Sequence, residues 1–531
     1  ALPILISTSG LQSYKEPITF GVNPPATSTT LASSANTLQF VSITDGGTAQ
    51  NLNLSSALAL ALKDIDIGGD LHITTKSTGV TQAAGSLRVG GTTTFTADTG
   101  TTQDAVLTTA NNHLVGKVTF DQTNSGSWRN VSLTSDTALS LGPLQSGGTV
   151  LLDVQGALTT DSNMSVSNNL TVTTHGGALA LGSTTVSGVV ALDTSIRDVH
   201  GVATGGGAVT QTGQLVVTGN TTVDAGTGTI TLLNAANVFG QSTTPSSPST
   251  LSLIGSNTQV ATSTDLNLAR VDNTGTMSLN APNGAINLGL AFITGGDLTL
   301  VSKNDLLLGS AEIKGALTLS STAGNVAFDQ AKVTGNLTAT TNNNQVDLGS
   351  ANVGGNLSVS TNGGNIIQSA PTTATTCPAL CVSGLTNLNA GTGNVTLPNI
   401  PNQFTGAVSL QANNVELVGS NGLILGNSTV GGTLNVTAAT GSITQTAAVN
   451  VTGATTLTAT QGNVVLDAAN TFQSAVSLAT INATIQTSSA LTLGASTVTG
   501  NLQATSTLGD ITQTGALAVT GTSNLIASAG N

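Results

Sequence analysis

Charge is scarce in this sequence. Of 531 residues only 7% are Asp, Glu, Lys or Arg, and 24 acidic side chains against 11 basic ones leave a net charge of −13. No stretch gathers Lys and Arg, which excludes the phosphate-neutralising surface that nucleic acid demands. An anionic bilayer surface would repel the chain for the same reason. Aromatics stand at 2%, with one Trp and one Tyr. A globular core of this length buries many of them, so a set of ordinary globular domains is not the expectation despite the length. Long apolar runs are missing too. None approaches the roughly eighteen residues of a transmembrane helix, so no membrane insertion is expected. The opening Ala1-Leu-Pro-Ile-Leu-Ile6 is too short to span a bilayer and lacks the basic start of a signal peptide. Ala1 reads as a mature N-terminus after cleavage or as an artificial boundary.

Cysteine is limited to Cys377 and Cys381. In an oxidising compartment that spacing allows a small local disulfide. A metal site needs about four ligands, and no other Cys or His stands near in sequence, so the disulfide is favoured. No cofactor is expected.

What the chain does have is Val, Leu, Ile, Ala, Thr, Ser, Asn and 63 Gly. With 38% of its residues hydrophobic it can build a core, but a thin one of small aliphatics, as repeat proteins do. The repeat is plainest from 286 to 366. Ile286, Leu306, Val326, Val346 and Ile366 recur every 20 positions. A second rank is Leu288, Leu308, Phe328 and Leu348, and a third is Ile293, Ile313, Val333 and Val353. A fourth is Leu317, Leu337 and Leu357, with Leu298 one residue out of register. Each turn holds three short runs of period two, the signature of strands. Gly and Asn between them suit tight corners. Three-residue strands become stable only by stacking in parallel, about 4.8 Å apart.

These observations predict an all-β chain: a right-handed parallel β-helix, or β-solenoid, with coils of about 20 residues, on the order of 25 of them extending roughly 120 Å. A longer repeat overlies the coils. Leu425, Val430, Leu434, Ile443, Gln445, Val451, Gly453 and Leu457 return 68 positions later, from Leu493 to Leu525. Degenerate copies start at Val80-Thr-Gln82 and reach Phe120, run from Val209-Thr-Gln211 to Asn237 and Phe239, and run from Ile367-Gln368 to Phe404. Residues 1–45, with Pro24 and Pro25, do not fit the repeat. They are expected to cap the solenoid of residues 46–531 or to contact a partner. Residues 242–250 and 370–384 read as loop insertions. The end at Ser528-Ala-Gly-Asn531 falls mid-module, so the expectation is either a chain cut from a longer protein or self-association by head-to-tail stacking through residues 1–45 and the C-terminal coil.

The phrases Asp-Ile-Thr-Gln-Thr-Gly-Ala-Leu-Ala-Val-Thr-Gly (510–521), Leu-Gly-Ala-Ser-Thr-Val-Thr-Gly-Asn-Leu (493–502) and Gly-Asn-Val-Val-Leu-Asp-Ala-Ala-Asn-Thr-Phe (462–472) resemble the repeat regions of filamentous-haemagglutinin-like surface proteins of Gram-negative bacteria. The resemblance covers most of 46–531. It implies a right-handed β-helix, export, and a place on the cell surface in attachment or matrix. The Asn-Pro-Asn-Gly signature of that family's secretion domain is absent, Asn23-Pro24-Pro25 and Pro282-Asn283-Gly284 being the nearest approaches.

Some β-helices cleave polysaccharides, which takes two facing carboxylates. Asp64, Asp66 and Asp70 are the best candidates, but alternation with Ile65 and Ile67 gives them a solvated face instead, and no Tyr or Trp platform accompanies them. His72, His113, His175 and His200 form no readable triad, and Gly205-Gly-Gly207 lacks the rest of a phosphate loop. Trp128-Arg129 and Arg197-Asp198 are read as loops, with Trp128 a candidate for partner contact or a staple over a coil. Outward Thr299, Thr318, Thr338 and Ser358 form a rank too mixed to favour ice binding. The function expected is therefore a non-catalytic extracellular structural or adhesive protein of the bacterial surface. A self-assembling filament subunit is the alternative, with a carbohydrate-active enzyme well behind.

Overall fold

The computed structural model describes residues 4–20, 28–35, 37–82, 84–161, 163–240, 249–288, 292–369 and 379–530. Strands, corners and bends account for all of them, with no helix. Parallel strands stack as a β-solenoid of about 23 turns of about 21 residues. Two compact units divide the chain, Ala1–Asn267 with Asp272–Thr274, and Leu268–Val271 with Gly275–Asn531.

In the second unit the ranks read from the sequence become hydrogen-bonded ladders. Ile286 pairs with Leu306, Leu306 with Val326, Val326 with Val346, and Val346 with Ile366. The same file continues to Val395 and Val415. Leu317, Leu337 and Leu357 stack likewise. All eight residues of these two ranks are at most 1% exposed. Burying such a side chain contributes about 1.5–3 kcal/mol, so the interior files hold strands too short to persist alone.

One rank differs from expectation. Ile293 is 49% exposed, and Thr294 takes the inward place opposite Ile313. Leu288 and Thr294 stand six residues apart where Leu308 and Ile313 stand five apart. One more residue separates the two inward positions, so Ile293 falls on the outward face, because a slip of one exchanges the faces of a strand. Thr294 satisfies its hydroxyl by donating to the Gly296 carbonyl at 3.0 Å. The same offset lets Leu298 pair directly with Leu317.

Corners are joined by Asn and Asp side chains. The carboxamide oxygen of Asn336 accepts the Asn356 N–H at 2.8 Å, and that of Asn356 accepts the Leu385 N–H at 2.8 Å. Asn365, Asn394 and Asn414 continue the device, each accepting an N–H from the next coil. Elsewhere, inward Thr replaces an aliphatic. Thr455 is wholly buried between Leu434 and Val476, and its hydroxyl has no partner. Thr455→Val, which keeps the shape and removes the orphan hydroxyl, is expected to stabilise the protein by about 1 kcal/mol. A thermal melt that stays put or falls would show that the hydroxyl is satisfied.

The 68-residue repeat does not close on whole coils. From Ile443 the ladder runs through Val464, Ala483 and Leu502 to Ser523. Ile511, the counterpart of Ile443, lies nine residues beyond Leu502 and pairs in a different file with Leu491.

In the first unit, the described residues between 4 and 45 form coils of the stack, not a separate cap. Ile4–Thr8, Gln12–Ser13 and Ile18–Thr19 form one coil on Ser28–Ser33, Leu38–Gln39 and Ser42–Thr44. The latter join the next coil through Asn51–Ser56 and Asp64–Ile67. Inward Thr29 and Ser33 flank Leu31 here, so the apolar alternation that marks other coils is diluted. Trp128-Arg129 also departs from its reading as a loop. It lies in the strand Ser127–Ser135, with Trp128 1% exposed and its indole N–H donating to the Asp121 carbonyl at 3.0 Å. Phe120 stacks on Phe95 at 5.1 Å and meets Trp128 edge-on at 5.8 Å. The coil therefore accommodates aromatics when they stack in succession. Arg197 belongs to an antiparallel hairpin, Ser195–Arg197 with Ala203–Gly206, which also takes up Gly205 and Gly206.

Of the two expected insertions, 242–248 and 370–378 lie outside the described residues. Residues 379–384 are part of a coil, with Ala379 and Leu380 fully buried and Cys381–Val382 a strand.

Candidate functional site

The acidic candidates act at corners. Asp64 and Asp66 point outward from the strand Asp64–Ile67, whose Ile65 and Ile67 are buried. Asp64 accepts the Ser86 N–H at 2.9 Å, and Asp70 accepts the Thr92 N–H at 2.7 Å. Each carboxylate thus ties one coil to the next. His113 meets Asp136 at 2.8 Å and His175 meets Asp153 at 2.6 Å, two separate surface pairs. His175, at φ +48°, sits at a turn. Among the described residues no three His, Cys, Asp or Glu side chains converge as metal ligands. Cys381 is disulfide-bonded, while Cys377 lies outside the described residues. Among the described residues no helix is long and apolar enough to cross a membrane, which bears on helices alone.

Two carboxylates in the first unit have displaced acidities. Arg129 holds the Asp104 carboxyl below its ordinary range, donating at 3.0 and 2.5 Å, with Asn130 assisting. The Asn124 amide, at 2.6 Å, does the same for Asp98 against the opposing effect of burial, with Thr123 and Lys76 adding to it. A carboxyl depressed in the folded state contributes stability above its unfolded value of about 3.9, and that contribution is lost as pH falls through the folded value. The melting temperature is expected to drop below about pH 4 and to drop less in Asp98→Asn and Asp104→Asn. Parallel pH profiles for wild type and variants would refute the assignment.

A recurring buried amide pair was not evident from the sequence. Gln82 and Asn112 exchange two hydrogen bonds, at 2.7 and 2.9 Å. Gln211 and Asn237 do so at 2.8 and 2.8 Å, Gln368 and Asn402 at 2.8 and 2.8 Å, and Gln445 and Asn470 at 3.1 and 3.0 Å. All four Asn are 0% exposed. Each also accepts a backbone N–H, from Leu87, Leu215, Leu380 or Val449. Each donates to a carbonyl four or five residues earlier: Leu107, Leu232 and Leu397, each the last residue of the preceding strand, and Leu466, which shares the strand Val464–Phe472 with Asn470. The clips fall in four of the five module copies, two residues before Leu114, Phe239, Phe404 and Phe472. In the first copy the clip selects Leu114, not Phe120, as the counterpart of Phe239.

The outer face of the second unit carries two parallel files of mostly polar side chains, the second interrupted by Val301. One runs Ser278, Thr299, Thr318, Thr338, Ser358, Asn387, Ser409, and the other Asn280, Val301, Ser320, Thr340, Ser360, Asn389, Gln411. Where the files reach Asn387, Ser409 and Gln411 the surface dips into a groove of about 380 Å³, lined also by Leu385, Asn427 and Thr429.

Stacked parallel coils, aliphatic files inside and amide clips at module intervals define a repeat protein of the parallel β-solenoid class. The chain belongs to the family of repeats of unknown function (DUF5649), whose model matches residues 49–121, 167–246, 295–352, 334–411, 412–479 and 480–531. Two of those matches begin at 412 and 480, the same 68-residue step found in the sequence. Comparison with curated proteins and with solved structures gave no match.

Proposed function

We propose that this chain is a non-catalytic structural and adhesive protein of the bacterial surface, with the outer faces of its coils as the working part. The two polar files carry this reading. They set hydroxyl and amide groups at every coil over seven successive coils, a display suited to many weak contacts in sum. The resemblance to filamentous-haemagglutinin-like repeats supports an extracellular place. Protease or antibody added to intact producing cells is expected to reach the protein. Reaction only after lysis would overturn the surface assignment.

A second reading, self-assembly by head-to-tail stacking of copies, draws support from the charge distribution. Beyond Asp347 the sequence has no Lys or Arg and only Glu416, Asp467 and Asp510 as acids. Little repulsion opposes close approach of such surfaces. Electron microscopy over a concentration series separates the readings: filaments support assembly, and single particles at every concentration support adhesion alone.

A further inference from the structure

We infer that the groove at Leu385, Asn387, Ser409, Gln411, Asn427 and Thr429 is a binding site for a neutral oligosaccharide. The inference rests on the adhesive reading and gives it a ligand class. Its five polar side chains are drawn from three successive coils and border one concavity. None of them makes a hydrogen bond within the described protein, whereas the corner residues Asn356, Asn394 and Asn414 are committed to their ladder. The groove therefore offers three amides and two hydroxyls with unspent donors and acceptors. Leu385, 59% exposed, adds an apolar wall at one side.

The chemistry of the lining narrows the occupant. None of the lining residues is charged, and between Asp347 and Asp467 the sequence has Glu416 as its one charged residue. A phosphorylated or sulfated ligand would find no counter-charge, and its desolvation would go uncompensated. An extended peptide adds to a sheet through an unpaired strand edge. The strand Thr386–Asn389 is paired on both sides, to Leu357–Ser360 and to Val408–Ala412, and Val408–Ala412 pairs onward to Ser428–Val430. Main-chain recognition is thus closed, leaving side-chain amides and hydroxyls as the donors. Vicinal hydroxyls on an uncharged ring, with C–H faces to lie on Leu385, match that set. The chemistry also belongs to this place and not to the repeat: 68 residues after Gln411 and Asn427 stand Ala479 and Ala495.

The test is calorimetric titration of the full chain with cellohexaose, maltoheptaose and chitohexaose, and with polygalacturonate as an anionic counterpart. Saturable binding of at least one neutral oligosaccharide is expected. The double variant Asn387→Ala/Gln411→Ala should weaken it about tenfold, the sum of two modest hydrogen bonds. Asn435→Ala, exposed on another strand, should leave it unchanged. Circular dichroism confirms that the outward substitutions preserve the fold. Absence of binding by all three neutral probes, wild-type affinity in the double variant, or preference for polygalacturonate would each overturn the inference. Loss of self-association in the double variant, seen by sedimentation, would reassign the groove to a second copy and overturn it equally. If intact-cell labelling succeeds while titration fails, the site alone is wrong. If titration succeeds while labelling fails, the site stands and the surface reading falls.

Discussion

Leu337→Asp is expected to lower the stability of the second unit by about 4 kcal/mol or more, the cost of an unpaired carboxylate in an apolar file. Leu337 is 0% exposed and is held between Leu317 and Leu357, and its N–H donates to the Asn356 carbonyl at 2.8 Å. No basic side chain belongs to that file, so the new charge has nothing to meet. Coils in a stack interact mainly with their neighbours, so the damage should be local at first. Hydrogen exchange should rise across 317–360 while coils beyond about 415 keep their protection. Leu337→Met, close in volume, should cost less than about 1.5 kcal/mol. An unchanged urea midpoint for Leu337→Asp would mean that the rank does not face inward.

Asn237→Ala should be nearly as damaging in the first unit. The Asn237 amide donates to Gln211, to the Leu232 carbonyl and to the Ala261 carbonyl at 2.8, 3.2 and 3.1 Å, and its oxygen accepts from Gln211 and from the Leu215 N–H, both at 2.8 Å. Alanine leaves those groups unpaired. At about 1–3 kcal/mol for each buried orphan, less what entering water recovers, a loss of about 3 kcal/mol is expected in urea unfolding. Asn237→Asp is the sharper probe. Its carboxylate would face the carbonyl oxygens of Leu232 and Ala261, which raises its folded pKa above the ordinary value. That variant should regain stability relative to Asn237→Ala as pH falls, because protonation restores one donor. Equal pH dependence of the two variants would remove the clip from the account.

The aliphatic files were legible in the sequence because their spacing holds at 20 residues and inward positions are nearly all Ile, Leu and Val. The clips were not, although Gln82, Gln211, Gln368, Gln445 and Asn237 all belong to the module that the sequence shows. Their partners lie 25 to 34 residues apart, since corners and insertions of varied length intervene, and a buried Asn looks like a surface one in a chain rich in Asn. Residues 4–45 escaped for a related reason: Thr29 and Ser33 stand where the pattern asks for aliphatics. Thr294 replaced Ile293 because one added residue is invisible to a count of ranks. The groove was not legible in the sequence, as Asn387, Gln411 and Asn427 become neighbours only once three coils of unequal length have stacked.

The mismatch between the 68-residue repeat and the coil sets the direction in which copied features point. A residue duplicated with the repeat does not reappear above its parent; it is turned about the axis, as successive leaves are turned around a stem. Within the second unit, gene duplication therefore spreads an outward feature around the circumference, and a flat partner meets only some of the copies. A stripe of identical groups along one side must instead come from changes made coil by coil, as in the files that end at Ser409 and Gln411.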